Sequence, residues 1–355
     1  MITITVEGRK AIFGSLVGNP DAEVGSPDGP RVVLSPLGEV IRREEIRKIS
    51  QVYSFVHVWK LCIMPDHIHL IVYVERAFQG KLSLGNVVSG FKGGCSKAWL
   101  RLSKEGRMVG WPTLPPLSVA GAGLNGRSSG TDANQNSILV SNRELGKDER
   151  QFSPIANPAK RWNTRRNPEV RPIFEPDYDD RILRKKGQLH NWQNYLSDNP
   201  RRGIIKHNNP QYFTVLHNWN IGSQKCQIVG NRFLLDIPDK VAVIVHRAYS
   251  DADFERYKRE WLACGEAGGV LVSPAISPRE REVMHEAMER GYCIIHLREN
   301  GFPPLYKPSG RSFDACAEGR LLQISPWEYH EYNKRITRAQ CLFLNELAEK
   351  IVGEC

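Results

Sequence analysis

The sequence predicts an α+β protein of two domains, and three observations carry that expectation. At 355 residues the chain exceeds one typical domain and has ample material for two buried cores. Two apolar runs at residues 53–63 and 67–74, joined by "MPD", read as an antiparallel β-hairpin with a helical pattern after it. From about residue 226, apolar strand candidates alternate with amphipathic helices, which is the grammar of an α/β domain with a largely parallel sheet. The expected domains are therefore 1–225 and 226–355.

Taken in order, "RVVLSP" (31–36) reads as a short strand, and "GEVIRREEIRKIS" after it carries helical spacing. The hairpin follows. "LSLGNVVSGFKGGCSKAWLRL" reads as a helix, although Gly90, Gly93 and Gly94 weaken its propensity. Residues 112–160 are rich in Gly, Ser, Asn and Pro without a sustained apolar period, the composition of a flexible insertion. A basic stretch, "KRWNTRRNPEVRPIFEPDYDDRILRKKGQ", leads into "QLHNWQNYLSDNPRRGII", a helix expected to stop near Pro200, because the residue before proline disfavours helical geometry. In the second domain "KVAVIVH", "GGVLVSP", "YCIIHL" and "RLLQIS" are strand candidates. "DADFERYKREWLACG", "SPREREVMHEAMERG" and "TRAQCLFLNELAEKIV" are helix candidates, with Ser277, Pro278 and Glu280 marking a helix start.

The formal net charge is +10, unevenly spread. Residues 226–355 hold 17 basic and 19 acidic side chains, leaving 32 basic and 20 acidic among residues 1–225. A polyanionic partner is expected, and it should meet the first two-thirds of the chain. Eight cysteines are scattered without C-x-x-C pairs, which suits reduced structural thiols and argues against a zinc ribbon. "MITITVEGRK" lacks the apolar core of a signal peptide, and no run approaches the roughly 18 apolar residues of a membrane helix. The expectation is a soluble cytoplasmic protein.

In "CIMPDHIHLIVYV" side chains alternate across a strand, so His67 and His69 share one face with Ile68 on the other. Such a pair suits hydrogen-bonded core histidines or a metal pair, and spacing alone leaves both open. On a helix over 188–199, Gln188, Trp192, Tyr195 and Asn199 fall on roughly one face. Taken alone, that face reads equally as two core aromatics with a C-terminal cap.

The order of "MPDHIHLIV", "GFKGGCSKAWLR", "FEPDYDDRI" and "NYLSDNPRR" resembles the single-tyrosine transposases of the HUH nuclease superfamily, and most nearly the REP-associated tyrosine transposases. The resemblance covers residues 30–215, interrupted by the insertion. It departs from the pattern at Asp180, where relatives often carry histidine, and the Gly/Pro-rich "GNPDAEVGSPDGP" has no clear counterpart.

The resemblance implies a central antiparallel sheet flanked by helices, with histidines on the sheet and the tyrosine on a packed helix. It implies Tyr195 as a nucleophile that cleaves single-stranded DNA through a 5′-phosphotyrosine and leaves a 3′-OH. It implies His67, His69 and Asn199 as ligands of a divalent cation, Mg²⁺ or Mn²⁺; two imidazoles would also suit Zn²⁺. A phenol with a pKa near 10 is a poor nucleophile at neutral pH, so cation and basic groups must offset the developing charge. Lys160, Arg161, Arg165, Arg166, Arg171, Arg184, Lys185, Lys186, Arg201, Arg202 and Lys206 crowd around these residues as DNA-phosphate candidates, and Trp162 and Trp192 as bases' stacking partners.

Residues 226–355 resemble, more loosely, the Rossmann-like domains of the DprA/Smf type, whose corresponding surface binds nucleotide or single-stranded DNA. The loop at 273–278 feeds a helix N-terminus whose backbone amides suit an anion, and Lys307, Ser309, Gly310 and Arg311 offer further polar groups. No GxGxxG or Walker motif is present. The function expected is metal-dependent nicking and strand transfer on single-stranded, hairpin-forming repeat DNA, with a homodimer left open. Two other readings remain at this stage: a domesticated DNA-binding protein without turnover, and a nucleotide sensor led by the C-terminal domain.

Overall fold

The computed structural model describes residues 1–112, 170–303, 306–332 and 335–353. The chain is α+β and divides into two units, Met1–Arg201 and Arg202–Cys355.

In the first unit, β1 (Ile2–Thr5) is followed by a small antiparallel ribbon of β2 (Gly14–Val17) and β3 (Arg31–Leu34). Ser35 caps α1 (Pro36–Val40) through its hydroxyl, and a π-helical turn at Ile41–Glu45 leads into α2 (Ile46–Val52). The hairpin expected from the sequence is β4 (Val56–Ile63) with β5 (His67–Val74), bulged between Val58 and Lys60. Next come α3 (Leu84–Lys104), the short β6 (Asp179–Asp180) and α4 (Gln188–Asn208). The sheet order is β4-β5-β1-β6, antiparallel throughout.

Alternation divides this sheet into two chemically different faces. Ile2, Ile4, Ile68 and Leu70 point to one side, where Val87, Val88, Phe91, Cys95, Ala98 and Leu102 of α3 complete the core. Cys62, Met64 and Ile71 point to the other side, where Leu196 is buried against them and Leu189 and Trp192 pack alongside. Gly94 leaves room for the Glu45 side chain: a methyl group there would meet Glu45 Oε2 at 2.2 Å.

The expected stop at Pro200 is overturned, since α4 runs through it to Asn208. Proline removes one backbone donor from the helix interior. Leu196 before it, and Ile204 and Ile205 after it, are all buried, and that burial outweighs the local penalty.

The second unit contains β7 (Leu216–Ile221), β8 (Gln224–Gly230), β9 (Lys240–Ala242), α5 (Asp251–Glu266), β10 (Val270–Ser273), α6 (Pro278–Glu289), β11 (Cys293–Leu297), α7 (Arg311–Ala317), β12 (Leu321–Ser325) and α8 (Arg338–Gly353). The sheet order is β7-β8-β12-β11-β10-β9. Strands β9 to β12 run parallel, and the β7–β8 hairpin extends their edge antiparallel. The expected domain limit at 225 thus falls inside β8, whose Ile228 pairs with Ile324 of β12. Leu271, Ile294 and Leu321 face Trp261, Met284 and Phe313 of α5, α6 and α7. Val270, Val272, Ile295, Leu297, Leu322 and Ile324 face Leu344, Leu347 and Ile351 of α8. Both faces of the parallel strands are covered, which explains why they read as unbroken apolar runs.

Candidate active site

The cross-strand register places Cys62, His69, Thr3 and Asp179 in one row on the sheet face covered by α4. His67 stands two residues along β5, opposite Thr5. The two imidazoles meet through their Nε2 atoms at 3.1 Å. Their other nitrogens are held: His67 Nδ1 lies 2.6 Å from Asp66 Oδ1, and His69 Nδ1 lies 2.9 Å from the Thr3 hydroxyl. His69 is buried and His67 half-buried.

These contacts constrain protonation. A carboxylate only accepts, so His67 Nδ1 carries a proton and, in the neutral ring, Nε2 offers a lone pair. That lone pair needs a proton from His69 or a cation between the rings. Asp66 itself titrates below the ordinary carboxylate range: burial pushes it up, but the His67 hydrogen bond and charge and the Arg9 guanidinium outweigh that. Arg9 stands 3.5 Å away. Neither Thr3 nor Asp66 was singled out from sequence, although the proximity of Asp66 in "MPDH" was a usable signal.

From α4, the Tyr195 ring comes within 6.2 Å of the His69 ring, centroid to centroid. Trp192 stands edge-on to Tyr195 at 5.6 Å and carries the Arg181 guanidinium at 5.9 Å on its own ring. Tyr195 is 38% exposed, so solvent has access to it. Four residues along the helix Asn199 is buried, and its Nδ2 has no hydrogen-bond partner of normal geometry. It lies near enough to the Cys62 thiol to oppose the effect of burial, which pushes that thiol up to about 11. The four residues singled out at sequence level are thus brought to one sheet–helix interface.

Among the described residues no three of His, Cys, Asp and Glu are grouped to hold a metal ion. The donor set is two imidazoles and an amide, and it fits a divalent cation on two counts. Both Nδ1 atoms are anchored by outer partners, which turns the Nε2 atoms toward each other. The Asn199 Nδ2 is also buried without a hydrogen-bond partner of normal geometry, and the amide turned over presents an oxygen ligand there.

The basic candidates divide. Lys160, Arg161, Trp162, Arg165 and Arg166 lie outside the described residues. Arg184, Lys185 and Lys186 are exposed just before α4, where Gln188 Oε1 accepts from the Arg184 and Lys185 amides. Arg201 pairs with Asp198 at 2.6 Å, and Arg171 with Glu7 at 2.9 Å. Arg202 and Lys206 belong to the second unit, where the Arg202 guanidinium sits 3.6 Å above the Phe313 ring. Asp180 pairs with Ile2, on the side away from the histidines.

In the second unit, the anion site expected at 273–278 is overturned. The buried Glu280 carboxylate already takes those amides, accepting from Ile276 and Ser277 at 2.7 and 2.9 Å and from Val245 at 3.0 Å. Lys307 donates to the Phe213 carbonyl, and Arg311 pairs with Glu289.

No family model and no curated protein matches the chain. Among solved structures it is similar to DNA processing protein A from Helicobacter pylori, described for its single-stranded DNA binding mode, at 20% identity and a TM-score of 0.28. That likeness covers 39% of this chain and 65% of the other, less than two-thirds of its length. At such a score it carries no inference. No described helix is long and apolar enough to cross a membrane.

Proposed function

We propose that the first unit is a metal-dependent nicking and strand-transfer enzyme of the HUH single-tyrosine type, acting on single-stranded, hairpin-forming repeat DNA. One observation carries this reading: Tyr195 and the facing Nε2 atoms of His67 and His69, far apart in sequence, stand together on one sheet face. On this reading the Tyr195 oxygen forms a bond to phosphorus while the bond to the 3′ oxygen breaks. The phenol gives its proton to solvent and the departing 3′ oxygen takes one up. The phosphotyrosine conserves the energy of the phosphodiester, so the same residues can rejoin strands.

His67, His69 and Asn199 would hold the Mg²⁺ or Mn²⁺, which supplies Lewis-acid polarisation of the scissile phosphate. Asp66 and Thr3 orient the two rings. Arg184, Lys185 and Lys186, with Lys160, Arg161, Arg165, Arg166, Arg201, Arg202 and Lys206, are the candidates for phosphate contact, and binding through them falls with salt.

The test is a denaturing gel of end-labelled hairpin oligonucleotides, taken from repeats flanking the gene, mixed with the full chain and Mg²⁺ or Mn²⁺. A cleaved strand with a covalent protein–DNA adduct is expected, both lost with EDTA and in Tyr195→Phe. Binding without cleavage under either metal refutes the enzyme and leaves a DNA-binding protein.

A further inference from the structure

The β-bulge in the hairpin has a consequence for what the sheet face can bind. Residues paired across an antiparallel sheet share a face, so His57, opposite Tyr73, and Cys62, opposite His69, stand on the histidine side. Between them the register shifts: Val58 pairs with Val72, yet Lys60 pairs with Ile71, leaving Trp59 as the extra residue. The shift brings Trp59 and Lys60, consecutive in sequence, to the same side. Trp59 stacks on Tyr73 at 4.8 Å with planes 13° apart, and Lys60 reaches Ser197 Oγ of α4 at 3.1 Å.

This aromatic pair is exposed. Trp59 is 51% and Tyr73 43% accessible, and His57 stacks on Tyr73 at 6.3 Å on the same face, whereas the stacked pairs of the second unit, Phe213 with Phe313 and Tyr257 with Tyr249 and Trp261, lie at or beside a core. Two large rings held parallel by their own stack and left open to water are disfavoured by hydration and bury no side chain of a core cluster. An open π-face of that kind accepts any unpaired base.

We propose that Trp59 and Tyr73 form a stacking platform for an unpaired base of the single-stranded DNA, flanking the scissile phosphate. The inference deepens the nicking reading above and rests on it for the choice of DNA. Two arguments commit the face to this occupant. First, it is continuous with the histidine site: Tyr73 is four residues from His69 on β5, about 13 Å at the usual strand rise and a short reach for an extended strand. Second, Lys60 stands between the rings and α4, where a backbone phosphate joining the stacked base to the cleavage point would pass.

The test uses the full chain and a fluorescein-labelled dT12 single strand, followed by anisotropy, with a blunt duplex of mixed sequence as control. Trp59→Ala and Trp59→Leu should weaken dT12 binding by about five- to a hundredfold, the range for losing one base stack, while Trp59→Phe keeps most of it. Duplex binding should be the same in all four proteins. The leucine variant keeps apolar bulk without a π-face, so equal loss in leucine and alanine marks stacking and not packing. Equal dT12 affinity in wild type and Trp59→Leu overturns the platform, as does rU12 binding tighter than dT12. Adduct formation is read in parallel. Adducts with unchanged dT12 binding sink the platform alone; Trp59-dependent dT12 binding without adducts sinks the nicking reading and leaves the platform standing.

Discussion

Replacing Glu280 by alanine should open the C-terminal sheet. Its carboxylate is 3% exposed and accepts three backbone N–H groups, from Ile276, Ser277 and Val245, at 2.7, 2.9 and 3.0 Å. Through Val245 and Ile276 it ties the segments that follow β9 and β10 to the start of α6. A hydrogen bond to a charged group is worth about 1.5 kcal/mol at the low end, so three give roughly 4–5 kcal/mol. Water entering the vacated space recovers part of this, and a net loss of about 3 kcal/mol is expected. That is about a hundredfold in an opening equilibrium. Native-state hydrogen exchange of the full chain reads it directly, as lost protection of Val270–Ser273 and Cys293–Leu297. Glu280→Gln keeps one acceptor oxygen and should fall between alanine and wild type. Protection in Glu280→Ala within about threefold of wild type would mean that the amides are satisfied otherwise, and the assignment of Glu280 as the internal anion would fail.

Burial, with Arg298 adding, pushes His296 down to about 4. An unfolded imidazole titrates near 6.5, so the unfolded chain takes up the proton first; the contribution is full above about 6.5 and lost as pH falls toward about 4. Urea titrations at several pH values should show about 3 kcal/mol disappearing across that window, and His296→Leu should lose that part of the slope; an identical slope in the variant refutes it. Asp66→Asn removes the carboxylate that anchors His67, and the Mn²⁺ concentration for half-maximal adduct formation should rise about 10- to 100-fold with an unchanged circular dichroism spectrum. An unaltered Mn²⁺ requirement would show that the Asp66 contact does not position a ligand.

The parts of the fold legible in the sequence are those whose local pattern and tertiary burial agree. The hairpin shows because alternation places His67, His69 and Ile71 on one side and Ile68 and Leu70 on the other, and the structure buries those sides against different helices. The C-terminal strands show because both their faces are covered. β1 escaped notice: "ITIT" is four residues long, and its alternation is too brief to stand out. With it went Thr3, whose contact with His69 depends on a register that no local pattern encodes. The continuation of α4 past Pro200 was hidden for the opposite reason, since a strong local signal was overruled by burial on both sides. The filled anion site at Glu280 was legible in principle. The Ser277–Glu280 spacing that marks a helix start is a capping box, and its carboxylate turns back onto the very amides an anion would need.

The same reasoning explains what sets the distance between nucleophile and histidines. Tyr195 is carried by a helix whose neighbouring residues Trp192 and Leu196 pack on Cys62, Met64 and Ile71, and Ile71 lies two residues from His69 on the same strand face. Apolar contact between one helix face and one sheet face therefore sets the 6.2 Å separation of the Tyr195 and His69 rings, and the edge-on contact of Trp192 with the tyrosine adds to it. Loss of packing at Leu196 should shift the tyrosine relative to the histidines without touching either, whereas Tyr195→Phe removes the reacting oxygen and leaves the helix in place. A site built this way separates positioning from chemistry: the residues that place the phenol can be read from the hydrophobic pattern, and those that react are the polar ones left on the same face.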